Sequence, residues 1–276
     1  MKEELVQIIV ARLEKDVDYL RDDFSRDKGV MARFTAIDDL FPEATARKIY
    51  EAFPPREAMR FLDSFREKKF TSKALDKFDP LITEATFAFQ DQRVINAVGR
   101  ITGQRDAVGD PHLYAGGISA MAHGHFLQPH IDNSHDHEQK NYRVLNLLYY
   151  CTPGWKAENG GNFELWDKDV TKPVEIPSFF NRLVLMETNE KSWHSVNEVK
   201  VEGLRCCVSN YYFSPHSPND HETSHVTFFQ ARPEQKFRRL VTTADGYLRT
   251  AVRKVVKQGL SKPDLFEGED EEKGKR

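Results

Sequence analysis

The chain has 276 residues, 39% hydrophobic and 30% charged, with a formal net charge of −3. That length suits one large domain or two small ones with a packed core, and the near-balanced charge gives no case for nucleic acid or another polyanion as partner. The three cysteines, Cys151, Cys206 and Cys207, are odd in number and two are adjacent, which argues against a disulfide framework and for a reducing, cytoplasmic compartment.

Leu5, Ile8, Ile9, Leu13, Val17 and Leu20 recur at three- and four-residue steps, so residues 1–28 are predicted as an amphipathic N-terminal helix. The apolar runs there are too short for a signal core, and no stretch approaches a membrane span. A short strand around Ala32–Ile37 opens the main domain. Pro42 suits the first turn of a helix running to Phe53. Residues 56–68 and 80–102 carry helical spacing as well, the second through Phe87, Phe89, Val94, Ile95, Val98 and Ile101.

From Gly116-Gly117 the pattern changes to short apolar runs separated by turns. Ile118–Met121, Phe126–Asp132, Val144–Tyr150, Asn162–Trp166, Val174–Ile176, Leu183–Glu187 and Cys206–Phe213 are predicted strands. Strands at this spacing form an antiparallel sandwich or barrel, and the preceding helices would cover one face, giving an α+β domain over residues 29–215. After Pro215 helical spacing returns (Phe237, Leu240, Val241, Ala244, Leu248, Ala251, Val252, Val255), so 216–266 is predicted as a C-terminal helical extension and 267–276 as a disordered charged tail. Arg232–Lys257 is rich in basic residues; the solvated outer face of a packed helix explains it more simply than a nucleic-acid surface.

The chemistry concentrates at His130-Ile131-Asp132. On a strand, side chains two apart share a face, so one imidazole and one carboxylate converge. His194, in Trp193-His194-Ser195-Val196, supplies a second imidazole. Two histidines and a carboxylate on one face of a metal leave three positions open, as non-haem Fe(II) oxygenases require. Two of those can take a 2-oxo acid and the third O₂. By itself H-x-D also describes a surface histidine beside a turn aspartate. The added weight comes from Arg205, eleven residues past His194. Its guanidinium can grip a carboxylate through two hydrogen bonds, or an internal salt bridge can hold it. Ser209 shares its strand face. Upstream, Asn146, Leu148 and Tyr150 share another, so Tyr150 can add a donor.

The stretch His130–Phe213 resembles the catalytic core of prolyl 4-hydroxylases, especially the hypoxia-type enzymes, within the Fe(II)/2-oxoglutarate dioxygenase superfamily. The matching pieces are His-Ile-Asp-Asn at 130–133, Leu-Leu-Tyr-Tyr-Cys-Thr-Pro-Gly-Trp at 147–155, Gly160-Gly161 with Phe163-Glu164-Leu165, Asn-Arg-Leu-Val-Leu-Met at 181–186, Trp-His-Ser-Val at 193–196 and Arg-Cys-Cys-Val-Ser-Asn-Tyr-Tyr-Phe at 205–213. The resemblance implies a double-stranded β-helix (jelly roll) core. It also implies Fe(II) on His130, Asp132 and His194, and 2-oxoglutarate on Arg205 with Tyr150 and Ser209 assisting. O₂ as oxidant and stimulation by ascorbate follow from it, as does hydroxylation of a protein residue, amino acid or small metabolite. Met121 stands where the family often has tyrosine, and the polar loop Ser134–Tyr142 is long, so the substrate can differ from peptidyl proline.

Two other readings compete. A jelly-roll binding or sensor module would not need all four groups. A zinc hydrolase could use the same triad with an activated water, but leaves the Arg205 strand without a role. Of the remaining candidates, His123, His125, His135 and His137 read as polar loop histidines rather than a second metal site. Trp193 either walls the pocket or packs, and Cys207 reads as a small inward-facing residue.

Overall fold

The computed structural model describes residues 1–219 and 221–235. The N-terminal helical pattern is divided: α1 spans Lys2–Lys15 and α2 spans Val17–Ser25, with the break at Asp16. This corrects the single helix expected over 1–28. Arg12 holds the Asp16 carboxylate at 2.5 Å, and the changed direction lets Leu20 and Phe24 bury. β1 (Phe34–Ile37) and α3 (Glu43–Glu51, after Pro42) follow as expected.

Residues 56–68 are the second correction. After a short 3-10 turn at Arg56–Ala58 they form a hairpin, β2 (Arg60–Asp63) and β3 (Glu67–Ser72). Phe61 and Phe65 are four apart and imitate helical spacing. Phe61 instead pairs across the hairpin with Phe70, ring centroids 4.9 Å apart. The expected helix over 80–102 is two helices, α4 (Pro80–Ala88) and α5 (Gln92–Thr102). Asp79 and Asp91 cap their N-termini by accepting from Leu81 and Arg93 N–H groups, and Gly103 ends α5 in the left-handed conformation that glycine tolerates.

Beyond Gly116 come β4 (Gly117–Met121), β5 (Phe126–Ile131), β6 (Tyr142–Tyr150), β7 (Phe163–Trp166), β8 (Pro173–Ile176), β9 (Arg182–Glu187), β10 (His194–Val196) and β11 (Arg205–Ser214). Seven of these agree with expectation, while the three-residue β10 is not among the expected strands. A short β12 (Phe228–Phe229) pairs with β5. The order is β1-β9-β6-β11-β4-β3-β5-β10-β7-β8, with every pairing antiparallel, which is the jelly roll. β3 pairs with both β4 and β5, so the hairpin from the helical half completes the wall.

Alternation along β6 and β11 sorts residues between two cores. Leu145, Leu147, Tyr149, Cys206, Val208 and Tyr212 face the helices and pack with Leu5, Ile9, Leu13, Val94 and Val98. Each such burial contributes about 1.5–3 kcal/mol. Tyr150 and Cys207 face inward with Met121, Phe163, Leu165 and Val196. The helices thus brace one sheet from outside and leave its inner face to the cavity. The helical extension expected over 216–266 is corrected where it is described: residues 216–219 and 221–235 form no helix, and β12 instead pairs with β5. From 236 onward it lies outside the described residues, as does the 267–276 tail.

Candidate active site

β5 and β10 are neighbours, and their register sets His130 directly across from His194. The two rings lie 4.0 Å apart by centroid. Asp132, just past β5, sends Oδ1 to 3.7 Å from His130 Nε2 and Oδ2 to 3.5 Å from His194 Nε2. One ligand atom from each residue falls within 4.8 Å of the others, a cluster able to hold a metal ion.

The polar groups behind this cluster fix its protonation. His130 Nδ1 lies 2.9 Å from the Gln128 carbonyl, and His194 Nδ1 lies 2.9 Å from the Ser192 carbonyl. A carbonyl only accepts, so each Nδ1 carries the proton and each Nε2 offers a lone pair to the centre. Burial, then the adjacent His194, pushes His130 down to about 3, and burial likewise lowers His194. Both are therefore neutral near pH 7. Burial alone would raise the Asp132 carboxyl. Arg143 at 3.1 Å, the two histidines and a 2.8 Å bond from Asn146 Nδ2 outweigh it and hold Asp132 well below the usual carboxylate range. Two neutral imidazoles and one carboxylate, with their outer atoms satisfied, fit a divalent first-row metal.

Arg143 was not anticipated. By strict alternation it would point away from Asn146. A bulge in β6 prevents this: Tyr212 pairs with Leu145 but Phe213 pairs with Arg143, so Val144 is passed over and Arg143 turns inward. The motif itself gives no signal for that irregularity.

The same cavity, about 470 Å³, reaches from the three ligands to Arg205, Tyr150, Ser209 and Cys207. Arg205 is 3% exposed. Its Nη2 donates to Met121 Sδ at 2.8 Å, while Nε and Nη1 are buried with no hydrogen-bond partner. No carboxylate of the described residues ion-pairs with it, so the internal salt bridge is not realised there. Its guanidinium lies 5.1 Å over the Tyr150 ring. Burial raises the Tyr150 phenol, which also meets Ser178, so it remains a protonated donor. Gly161, at φ +66°, would bring a Cβ to 3.0 Å from Val199 Cγ2 and 3.2 Å from Arg205 Cδ, and Gly160, at φ +72°, would drive one into the Glu198 carbonyl oxygen, which gives the pair a physical role. A dianion with one carboxylate on Arg205 fits this geometry.

The other candidates lie apart from the triad, most of them packed against aromatic rings. Trp193 meets Phe228 edge to face at 5.8 Å. His125 packs against Phe61 and Phe70, His135 against Tyr142, and His137 against His112. Exposed His123 lies beside Glu202. Arg232 belongs to a buried pair, and the basic stretch beyond 235 lies outside the described residues.

Residues 116–213 match the family model of the 2OG-Fe(II) oxygenase superfamily. The chain is 31% identical over a 113-residue alignment to prolyl 3-hydroxylase OGFOD1 of Mus musculus, which covers 32% of this chain and 20% of that relative. The match thus spans about a fifth of the relative's length. A prolyl 4-hydroxylase of Phytophthora capsici superposes with a TM-score of 0.53 at 20% identity, covering 90% of this chain and 78% of that one. A prolyl-4-hydroxylase of Pseudomonas putida gives 0.51 at 15% identity, covering 72% and 98%. These two likenesses establish the fold.

Proposed function

We propose that this chain, whose residues 116–213 make it a prolyl hydroxylase-like member of the 2OG-Fe(II) oxygenase superfamily, is an Fe(II)- and 2-oxoglutarate-dependent dioxygenase. It would hydroxylate a C–H bond and convert 2-oxoglutarate to succinate and CO₂. His130, Asp132 and His194 would hold the iron, and Arg205, with Tyr150 and Ser209, the distal carboxylate of 2-oxoglutarate. When bound, the iron supplies the O₂ and electron-transfer chemistry that side chains lack.

The residues do the rest. Gln128 and Ser192 carbonyls aim the two imidazoles. Arg143 and Asn146 hold Asp132 ionised. Tyr150 and Arg205 orient the co-substrate inside a wall that limits water. The observation that carries the reading is the buried Arg205 guanidinium with two unpartnered nitrogens opening on the same cavity as the triad. A zinc hydrolase has no use for it.

A prolyl residue in a protein is the first substrate to test, since the mouse relative is a prolyl 3-hydroxylase. Ascorbate stimulation and a cytoplasmic location belong to the same proposal; the three unpaired, buried thiols support the latter. No helix among the described residues is long and apolar enough to cross a membrane.

The test is succinate formation by purified protein with Fe(II), ascorbate, 2-oxoglutarate and O₂, beside Asp132→Ala, with titration of 2-oxoglutarate into metal-loaded protein. Turnover above the Asp132→Ala control and saturable binding are expected. Metal-loaded protein that binds no 2-oxoglutarate would defeat the proposal.

A further inference from the structure

After β11 the chain returns to the site. Residues 225–235 run back along the barrel as a strap. At its start Ser134 N–H donates to the His225 carbonyl (3.1 Å) and His225 N–H to Ser134 Oγ (2.9 Å). In its middle β12 pairs Phe228 with Ile131 and Phe229 with His130, and Gln230 N–H donates to the Pro129 carbonyl at 2.8 Å. Near its end Arg232 forks onto Glu164 of β7 at 3.1 and 2.5 Å. The same carboxylate accepts from Ser195 Oγ at 2.5 Å, and that hydroxyl accepts from Trp166 Nε1–H.

The Glu164 side chain is 3% exposed. A carboxylate so buried is costly without a cationic partner. Among the described residues Arg232 is the cation that pairs with it. The barrel therefore contains a buried charge that is balanced only when the strap is docked.

Docking fixes Phe229. Its ring stacks on His130 at 5.2 Å and 19°, and the Arg66 guanidinium of the β2–β3 hairpin lies 5.7 Å from its centroid. Phe229 and Thr227 line the cavity. His130 is thus held at three points: by the Gln128 carbonyl, by the His194 ring and by Phe229. The first two belong to the jelly roll, the third to the strap.

We propose that Phe229 is a positioning residue for His130, anchored by the Glu164–Arg232 pair, and that the strap is the wall that keeps solvent from the metal. This rests on the reading of His130, Asp132 and His194 as metal ligands. The apolar shell around a metal controls solvent access, and the groups behind a ligand tune affinity by about 10–100-fold.

Co(II) makes the test, because its visible bands report ligand geometry and its release to a chelator needs neither O₂ nor substrate. Phe229→Ala is expected to speed Co(II) release roughly tenfold and to change the bands. Phe229→Tyr should restore both. Phe229→Leu, which keeps apolar packing, should change in the same direction as Phe229→Ala and serves if that variant does not fold. The double variant Glu164→Gln/Arg232→Met removes both charges of the pair. It should release Co(II) faster and expose residues 225–235 to hydrogen exchange. Wild-type release rates and bands in Phe229→Ala, or in Phe229→Leu, overturn the proposal. Wild-type protein that binds no Co(II) removes the metal-site reading itself, and this proposal with it.

Discussion

The two ends of the cavity are built on opposite plans. At the His130, Asp132 and His194 end, the outer atoms of the three side chains are satisfied from within the fold. At the Arg205 end, a buried cation keeps two nitrogens without partners. The first end is organised before anything binds, whereas the second becomes electrostatically complete only with an anion. A protein that must hold one component tightly and exchange another at every turnover can divide its binding energy in this way.

Two arginine variants test the contrast with the largest expected effect. Arg143→Met leaves the Asp132 carboxylate buried beside an apolar chain and should destabilise metal-free protein by about 3–5 kcal/mol. Arg205→Met should leave metal-free stability within about 1 kcal/mol of wild type, or raise it, because an unpaired buried charge is removed. It should instead weaken 2-oxoglutarate binding roughly a hundredfold, since hydrogen bonds to charged groups are worth about 1.5–3 kcal/mol each. Urea unfolding and 2-oxoglutarate titration measure the two quantities. Equal destabilisation by both variants would erase the contrast.

Of the two ends, acid probes the organised one, because a guanidinium does not titrate; His125 and His225, also lowered by burial, add to the same slope from outside it. His130 sits at about 3 when folded and 6.5 ordinarily. Between those values the unfolded chain binds more protons, so stability falls as pH drops from 6.5 toward 3. The lowered Asp132 acts in the same sense, contributing stability that is lost below its ordinary value of 3.8. Unfolding of metal-free protein at pH 7.5 and pH 5 should show this slope, and His130→Gln should flatten it. Equal slopes would remove His130 from the account.

The smallest effect belongs to Gly161→Ala. Its φ of +66° and the 3.2 Å approach to Arg205 Cδ predict strain of about 1–3 kcal/mol. 2-Oxoglutarate affinity should drop several-fold while Co(II) affinity stays. A loss of Co(II) affinity instead would mean that the two ends are not independent.

Much of this plan could be read from residue order. Seven strands of the jelly roll were legible as short apolar runs between turns, and in β6 and β11 one face meets the helices while the other meets the cavity. The His130–Asp132 spacing needs only a strand, and Arg205 stands out as a cation in an apolar run. What escaped were features set by contacts distant in sequence. Residues 56–68 fall in a hairpin whose second strand, β3, is held between β4 and β5, and these pairings override a local spacing that also suits a helix. Arg143 reaches Asp132 through a bulge defined by β11. Phe229 matters because it meets His130, almost a hundred positions away, and its own neighbours carry no motif.

The register of β1 has a consequence for how the chain acquires this fold. Phe34–Ile37 pair with Leu183–Met186, and β6 lies between β9 and β11. The helices, translated early, cover a sheet whose central strands emerge late. Their apolar faces must wait for more than half the chain, which makes folding slow and exposes sticky surface in the interval. A nascent chain halted before Arg205 would hold most of the helical layer and none of β11 to pack it on. Such intermediates would expose apolar surface open to aggregation until β11 arrives.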